Sequence, residues 1–376
     1  VTMPRRDHSP TGPSPHSGAS SSSETTETAE ATETTSAPRT ASHNPTMAEV
    51  AAEAGVSHQT VSRVINESPG VRPQTKQRVQ AAIDKLGYRR NLAARALVTR
   101  QSGLIGVIAV GSFQYGPTST LASLERAARE NSYLTLIATI AETSHEQFRT
   151  ALNEFLERSV EAIVVIASRE SLVWFAGALN LAVPLIVLGP RPADLEGLTC
   201  LSVSQAGGAR LAVSHLLELG HRDITLLTGP SNWVDAQRRL QGALSECEAH
   251  GVQPRIASGD WNPASGYEAG MRVADLPPAA RPTAVFCAND HMALGFLAAC
   301  HTQGIRVPED ISVVGFDDIP GVAYYTPGLT TVHQDFSELG SRAIGAALEM
   351  IAGRTPVTEP VPATLVIRGS TAPPRQ

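Results

Sequence analysis

The sequence predicts an all-α helix-turn-helix head followed by an α/β core, and three observations point there. Beyond residue 102, short β-branched runs alternate with amphipathic helical patterns over about 270 residues, as when parallel strands are wound by helices on both faces. Residues 45–66 read PTMAEVAAEAGVSHQTVSRVIN, two short helical stretches on either side of a glycine, the layout of a helix-turn-helix. Charge is also segregated. Residues 1–44 carry net −2, residues 45–100 carry nine basic and four acidic groups for net +5, and residues 101–376 carry eighteen and twenty-seven for net −9. The total of −6 argues against a polyanionic partner, but the basic head taken by itself reverses that inference.

Ahead of the head, residues 1–44 hold nine Ser, nine Thr and five Pro and no Leu, Ile, Phe, Trp or Tyr. Such a stretch buries too little apolar surface to offset the entropy of ordering, so a disordered tail is expected. In the head, residues 45–90, Thr46 and Glu49 make a capping box for a first helix over Met47–Glu53, with Val50, Ala51 and Ala52 inward. Gly55 supplies the turn. Ser57 caps a second helix over His58–Ile65, whose Val61, Val64 and Ile65 face inward and whose His58, Gln59, Ser62 and Arg63 face out. A third helix runs Pro73–Leu86, with Val79, Ile83 and Leu86 in helical spacing and Pro at the tolerated first position. A helical hairpin without nucleic acid shares this pattern; the net +5 and the outward polar set favour DNA.

Residues 91–98, NLAARALV, are Ala-rich and too short to hold a helix alone in water. In the core, residues 102–372, strands are expected at Leu104–Val110, Tyr133–Ala138, Ala162–Ile166, Pro184–Leu188, Ile224–Leu227, Thr283–Cys287 and Ile311–Gly315. Helical stripes run through Ala209, Val213, Leu216, Leu217 and through Phe336, Leu339, Ala343, Ala347, Ile351. Ligands of such folds sit at the carboxyl ends of the strands.

Several function classes are excluded. No stretch approaches the roughly 18 apolar residues of a membrane span, and VTMPRRDHSP develops no signal-peptide core, so a cytoplasmic protein with no membrane partner is expected. Cys200, Cys247, Cys287 and Cys300 have no zinc spacing and read as small buried hydrophobes; no metal or cofactor is expected. There is no GxSxG, HExxH, GxxxxGK[ST] or GxGxxG, and His215, His221, His291 and His301 read as helix-surface or loop residues. The expectation is a protein that is not an enzyme.

TMAEVAAEAGVSHQTVSRVIN, then TKQRVQAAIDKLGYRRNLAARALVTRQSGLIGVI, GHRDITLLTGP, CANDHMALG, DISVVGFDD and LTTVHQDF resemble the LacI/GalR family of bacterial transcriptional regulators over about residues 45–370. The resemblance implies a sequence-specific repressor whose operator affinity is set by a small carbohydrate. His58, Gln59 and Arg63 would enter the major groove, where Gln can pair with adenine N6 and N7 and Arg with guanine O6 and N7. Thr46, Ser57, Thr60, Ser62 and Asn66 would contact phosphates. Asn91–Val98 would be a hinge helix that folds when two copies meet over the minor groove, with Leu97 as an apolar wedge; residues 91–101 then form hinge and linker. Arg90 stands where the family usually has Pro.

The resemblance further implies a core of two Rossmann-like subdomains, periplasmic-binding-protein-like, joined by three crossings. Residues 103–201 with 333–355 make one, residues 202–332 with the chain end the other, and the effector lies between them. Arg239, Trp261, Asn289 and Asp317 match sugar contacts of the family. An arginine fork, an amide and a carboxylate suit vicinal hydroxyls, and an aromatic ring suits a pyranose face. Gly189 stands where a sugar-binding acid can occur, Ser204-Gln205 replaces a frequent Asp-Asn, and Phe113 and Tyr115 enrich the first-strand loop in aromatics. These departures leave a purine-type corepressor as the alternative effector. The chain closes soon after Arg368 without apolar heptads, so the implied partner is a second copy in a homodimer, on a pseudo-palindromic operator. A stand-alone sugar-binding protein would have no use for residues 45–100.

Overall fold

The computed structural model describes residues 45–89, 101–110, 114–140, 144–167, 169–179, 181–191 and 197–375. They form two compact units, a helical one before residue 90 and an α/β one from residue 101. The expected tail, the hinge with Arg90, Asn91 and Leu97, and Phe113 lie outside the described residues.

In the helical unit, α1 is Met47–Ala54, α2 His58–Ile65 and α3 Pro73–Leu86. The capping box forms, with the Thr46 amide donating to Glu49 Oε2 at 2.6 Å and the Glu49 amide to Thr46 Oγ1 at 3.3 Å. Gly55, at φ +61°, closes α1 in the left-handed conformation that a residue without Cβ adopts freely. Val50, Ala51, Ala54, Val61, Val79 and Ala82 make the core. Ala52, expected inward, is exposed. At about 100° per residue, positions 50, 51 and 54 share a stripe and 52 turns off it.

The α/β unit holds two sheets. The first, all parallel, has order β2-β1-β3-β4-β5, from β1 (Leu104–Val110), β2 (Leu134–Ile140), β3 (Ala162–Ile166), β4 (Leu185–Leu188) and β5 (Thr199–Leu201). Alternate residues of β1 feed two clusters, Ile105 and Val107 on one face and Ile108 and Val110 on the other. This two-sided burial is why the strands read as nearly continuous apolar runs. On the first face lie α4 (Tyr115–Glu130) and α11 (Phe336–Ile351), on the second α5 (His145–Glu157) and α6 (Glu170–Gly177). Residues 336–351 thus return to the first subdomain, as the resemblance implies.

The second sheet has order β11-β10-β9-β8-β6-β7, from β6 (Ile224–Thr228), β7 (Arg255–Ser258), β8 (Ala284–Cys287), β9 (Ser312–Asp317), β10 (Thr330–Gln334) and the antiparallel edge strand β11 (Ala363–Val366). Its faces are covered by α7 (Gln205–Glu218) with α8 (Val234–Ala249), and by α9 (Pro263–Ala274) with α10 (Asp290–Thr302). Every expected strand is present with ends shifted by up to two residues; β5, β7, β10 and β11 were not expected. Two of these are polar or half-exposed edge strands and β5 is only three residues long, too short for a period to register.

Helices α9 and α10 meet backbone to backbone. A Cβ on Gly295 would overlap the Pro263 carbonyl oxygen, and one on Gly266 the Met292 carbonyl oxygen. The contact fixes the elements next to Trp261 and Asn289, because α9 follows the one and α10 starts beside the other. We expect Gly295→Ala to cost about 3 kcal/mol, since neither backbone can yield without moving its helix. Urea unfolding measures this; a loss under about 0.5 kcal/mol, the level of a neutral surface change, would contradict the close packing.

All four cysteines are buried. His221, expected as a helix-surface or loop residue, sits in the loop after α7 and is buried as well. Its Nδ1 lies 2.9 Å from Thr283 Oγ1, and its Nε2 3.1 Å from Ser312 Oγ and 2.9 Å from the Ala372 carbonyl. The C-terminal segment covers it, a contact across 151 residues that local pattern does not encode. Burial lowers its pKa from the ordinary imidazole value.

Candidate functional site

Two groups of residues stand out, one on each unit. On α2, Val61 is buried while His58, Gln59 and Arg63 are exposed and Ser62 is half-buried. Spacings of one, four and five residues place these four on one helix face. The Ser57 hydroxyl accepts from the Thr60 amide at 3.2 Å and lies 2.9 Å from the Thr60 hydroxyl; Asn66 Nδ2 donates to Ser62 Oγ at 3.3 Å. The expected phosphate contacts Thr46, Ser57, Thr60, Ser62 and Asn66 therefore all have local partners. A hydroxyl carries one donor and two acceptor positions, so a cap leaves capacity for a phosphate oxygen. Asn91 and Leu97 lie outside the described residues.

In the α/β unit a cleft opens at the carboxyl ends of the strands. Arg239, Trp261, Asn289 and Asp317 all line it. Arg239 comes from α8, Trp261 from the loop after β7, Asn289 from the end of β8 and Asp317 from the last position of β9. Tyr115 and Gly189 line it from the first subdomain.

Arg239 is 5% exposed, so it is not a surface helix charge. Its Nη2 lies 3.2 Å from Asp317 Oδ1, its Nε donates to Gln205 Oε1 at 2.8 Å, and its Nη1 donates to the Ala288 carbonyl. The guanidinium carbon sits 3.8 Å from the Phe316 ring centroid. Gln205 Nε2 donates to Gln334 Oε1 at 2.8 Å, and Gln334 Nε2 to Asp317 Oδ1 at 2.7 Å. Arg239, Gln205, Gln334 and Asp317 thus close a four-membered ring of hydrogen bonds, all buried. Each polar group is satisfied by the next, which is how such groups tolerate burial. Gln205 opens the segment after the first crossing and Gln334 closes β10 before the chain crosses back to α11, so the ring ties two crossings to the cleft.

Burial raises the Asp317 carboxyl to about 6; the Arg239 guanidinium and the Gln334 amide pull it down, and nearby Asp235 pushes it up. Asp235 also lines the cleft, and its carboxyl too is raised by burial, eased by Arg239. Asn289 caps α10, its Oδ1 accepting from the Met292 amide at 2.9 Å, while its Nδ2 donates to the Trp261 carbonyl at 3.0 Å. Trp261 packs on Gly229 and stands edge-on to Trp233 with centroids 5.7 Å apart. Trp261 and Asp317 both have positive φ, +75° and +109°, unusual for residues with a Cβ and frequent at binding sites.

Sequence reasoning assigned no role to Gln205, Gln334, Asp235 or Trp233, although Gln205 was marked as a departure from the family pattern and Gln334 lies in the quoted LTTVHQDF. Two of them carried a readable signal: Gln334 ends a strand beside Asp317's strand, and Asp235 stands four residues before Arg239 on one helix. Among the described residues no group of His, Cys, Asp and Glu could hold a metal, and no helix is long and apolar enough to cross a membrane.

The profile of bacterial regulatory proteins of the lacI family matches residues 46–91, and that of the periplasmic binding protein-like domain residues 213–371. The chain is similar to the lactose operon repressor of Escherichia coli (strain K12), 34% identical over 335 residues, covering 88% of this chain and 91% of that protein. It is also similar, over a shorter stretch, to the HTH-type transcriptional repressor PurR of Salmonella enteritidis PT4 (strain P125109), 34% identical over 316 residues, with 82% of this chain and 91% of that protein covered. Among solved structures, the lac repressor dimer bound to operator and the anti-inducer ONPF matches with a TM-score of 0.78 at 33% identity, over 88% of this chain and all of that one. The complex of the transcriptional regulator CelR with cellobiose matches at 0.63 and 28%, over 87% and 100%. The basic helix-turn-helix, the two wound sheets and the cleft between them are those of a DNA-binding transcriptional repressor with an effector-binding core, and the chain belongs to the LacI family of bacterial regulatory proteins.

Proposed function

We propose that the protein is a homodimeric, cytoplasmic repressor that reads a pseudo-palindromic operator through His58, Gln59 and Arg63 and is controlled by a small carbohydrate bound by Arg239, Trp261, Asn289 and Asp317. The observation that carries the DNA half is the exposed polar face of α2 on a head of net +5. The cleft supports the effector half: a ring of donors and acceptors beside two indoles suits a hydroxylated ring. The relatives support both, since one is bound to operator and another to cellobiose. We read residues 45–90 as the DNA-binding domain, 91–101 as hinge and linker, with Asn91 at its start and Leu97 as its wedge, and 102–372 as the effector core. The protein is a regulator without catalytic activity. A purine effector is the second reading, favoured by the 34% identity to PurR and by the aromatic lining of the cleft.

A dimer that neutralises roughly six to ten phosphates should lose affinity with a slope of about −5 to −9 in log K against log salt. Fluorescence anisotropy with a duplex selected from a random library measures it, and a flat salt response would remove the DNA half. For the effector half, a thermal-shift panel of neutral sugars and purines on the full-length protein should return a stabilising ligand from one class. Stabilisation by purines alone would decide for the second reading.

A further inference from the structure

We propose that the cleft is built for an effector that carries a protonated amine, an amino sugar in the first place, and that Asp235 receives the ammonium group. The proposal rests on the effector cleft described above and narrows its ligand class. Asp235 is the second residue of α8, lies half-buried on the cleft wall, and has no hydrogen-bond or ion-pair partner among the described residues. Arg239, one turn farther along the helix, is the sole cation among the described lining residues, and it is committed to Asp317, Gln205 and the Ala288 carbonyl. Arg239 and Asp317 neutralise each other. The described lining is thus left with one acid in surplus.

A second sign of negative potential comes from the other subdomain. The Tyr115 phenol is raised by burial and, against a lowering hydrogen bond from Ser119, by the carboxylates of Asp317, Asp318 and Asp290. A phosphate or carboxylate ligand would meet two acids and one already paired cation. A neutral polyol can give two hydroxyl protons to Asp235 but brings no charge of its own, leaving only the pull of Arg239 and the first-turn position on α8 to offset the desolvated carboxylate. An ammonium group supplies the charge and three donors at once. Trp233, two residues before Asp235, and Trp261 also line the cleft; the Arg169 and Arg239 guanidinium carbons already lie 5.3 and 5.5 Å from their ring centroids, so the indoles offer a ligand their remaining edges and faces, which suit sugar C–H groups and organic cations alike.

The test is isothermal titration of the full-length protein with matched probes: glucosamine against glucose and N-acetylglucosamine, galactosamine against galactose and N-acetylgalactosamine, and the chitosan disaccharide against cellobiose. We expect at least one amine to bind about tenfold or more tighter than its hydroxyl and N-acetyl counterparts, the gain of one desolvated charge pair. That advantage should vanish in Asp235→Asn, which leaves shape and hydrogen bonding nearly intact. Equal or tighter binding of the uncharged sugars, absence of binding by any amine, or an advantage that survives Asp235→Asn overturns the proposal. The comparison of free with N-acetylated sugars on the wild type stands even if the variant folds poorly. Salt-dependent binding of the wild type to duplex DNA, together with stabilisation by a neutral sugar or purine, would leave the regulator reading standing while this proposal falls.

Discussion

Arg239→Ala should destabilise the α/β unit by about 3–5 kcal/mol near neutral pH and abolish the response to effector. Removing one partner of a buried ion pair leaves the other charge uncompensated, which is where a cost of that size arises. Here the loss is compounded, because Nε and Nη1 also satisfy Gln205 and the Ala288 carbonyl. Calorimetry should show the melting temperature lower by on the order of 10 °C. The pH dependence identifies the cause. The Asp317 carboxyl already sits at about 6, above its ordinary value of 3.8, and the Arg239 guanidinium is what holds it down; without that guanidinium it rises further. A group raised in the folded state contributes stability at low pH and loses it as pH climbs through the folded pKa. The deficit of the variant should therefore be largest at about pH 8 and shrink towards about pH 5, where Asp317 takes up a proton. A deficit independent of pH would mean that Arg239 acts by packing alone, through its stack on Phe316.

Arg63→Ala should lower affinity for a selected operator by about 10²- to 10⁴-fold in a dimer, from a loss of about 1–3 kcal/mol at each half-site. Arg63 is exposed on the outer face of α2, so the melting temperature should move by no more than about one degree. The informative comparison is with a random duplex. A residue that reads a base loses specific binding and keeps most non-specific binding, while a residue on phosphate loses both equally. Equal losses on the two duplexes would move Arg63 from reading bases to positioning the helix.

How far these sites were legible from sequence depends on the range of the interactions involved. The capping box at Thr46 and Glu49, the outward face of α2 and the buried stripe of α11 follow from spacings of three to five residues, and each appears where the spacing places it. Asn289 and Asp317 lie in the quoted CANDHMALG and DISVVGFDD, Arg239 and Trp261 were matched only by family register outside those motifs, and the cleft brings all four together. Their chemistry was less legible. Asn289 is a helix cap as well as a cleft residue, and Arg239 works as part of a ring with two glutamines, Gln334 inside the quoted LTTVHQDF and Gln205 at a departure from the family pattern, to which the sequence assigned no role.

From the residues alone came the head, its exposed polar face, the segregated charge and the wound α/β core. Each of these rests on periodicity or composition within about one element, and a helix period of 3.6 or a strand period of 2 is readable without knowing the neighbours. Tertiary contact decided which polar side chains meet. Gln205 reaches Gln334 across 129 residues, and Asp235, four positions from Arg239, is left without a hydrogen-bond or ion-pair partner among the described residues because that arginine turns to Asp317. A buried hydrogen bond or an unpaired carboxylate depends on which distant strand end comes within about 3 Å, and local pattern carries no information about that distance.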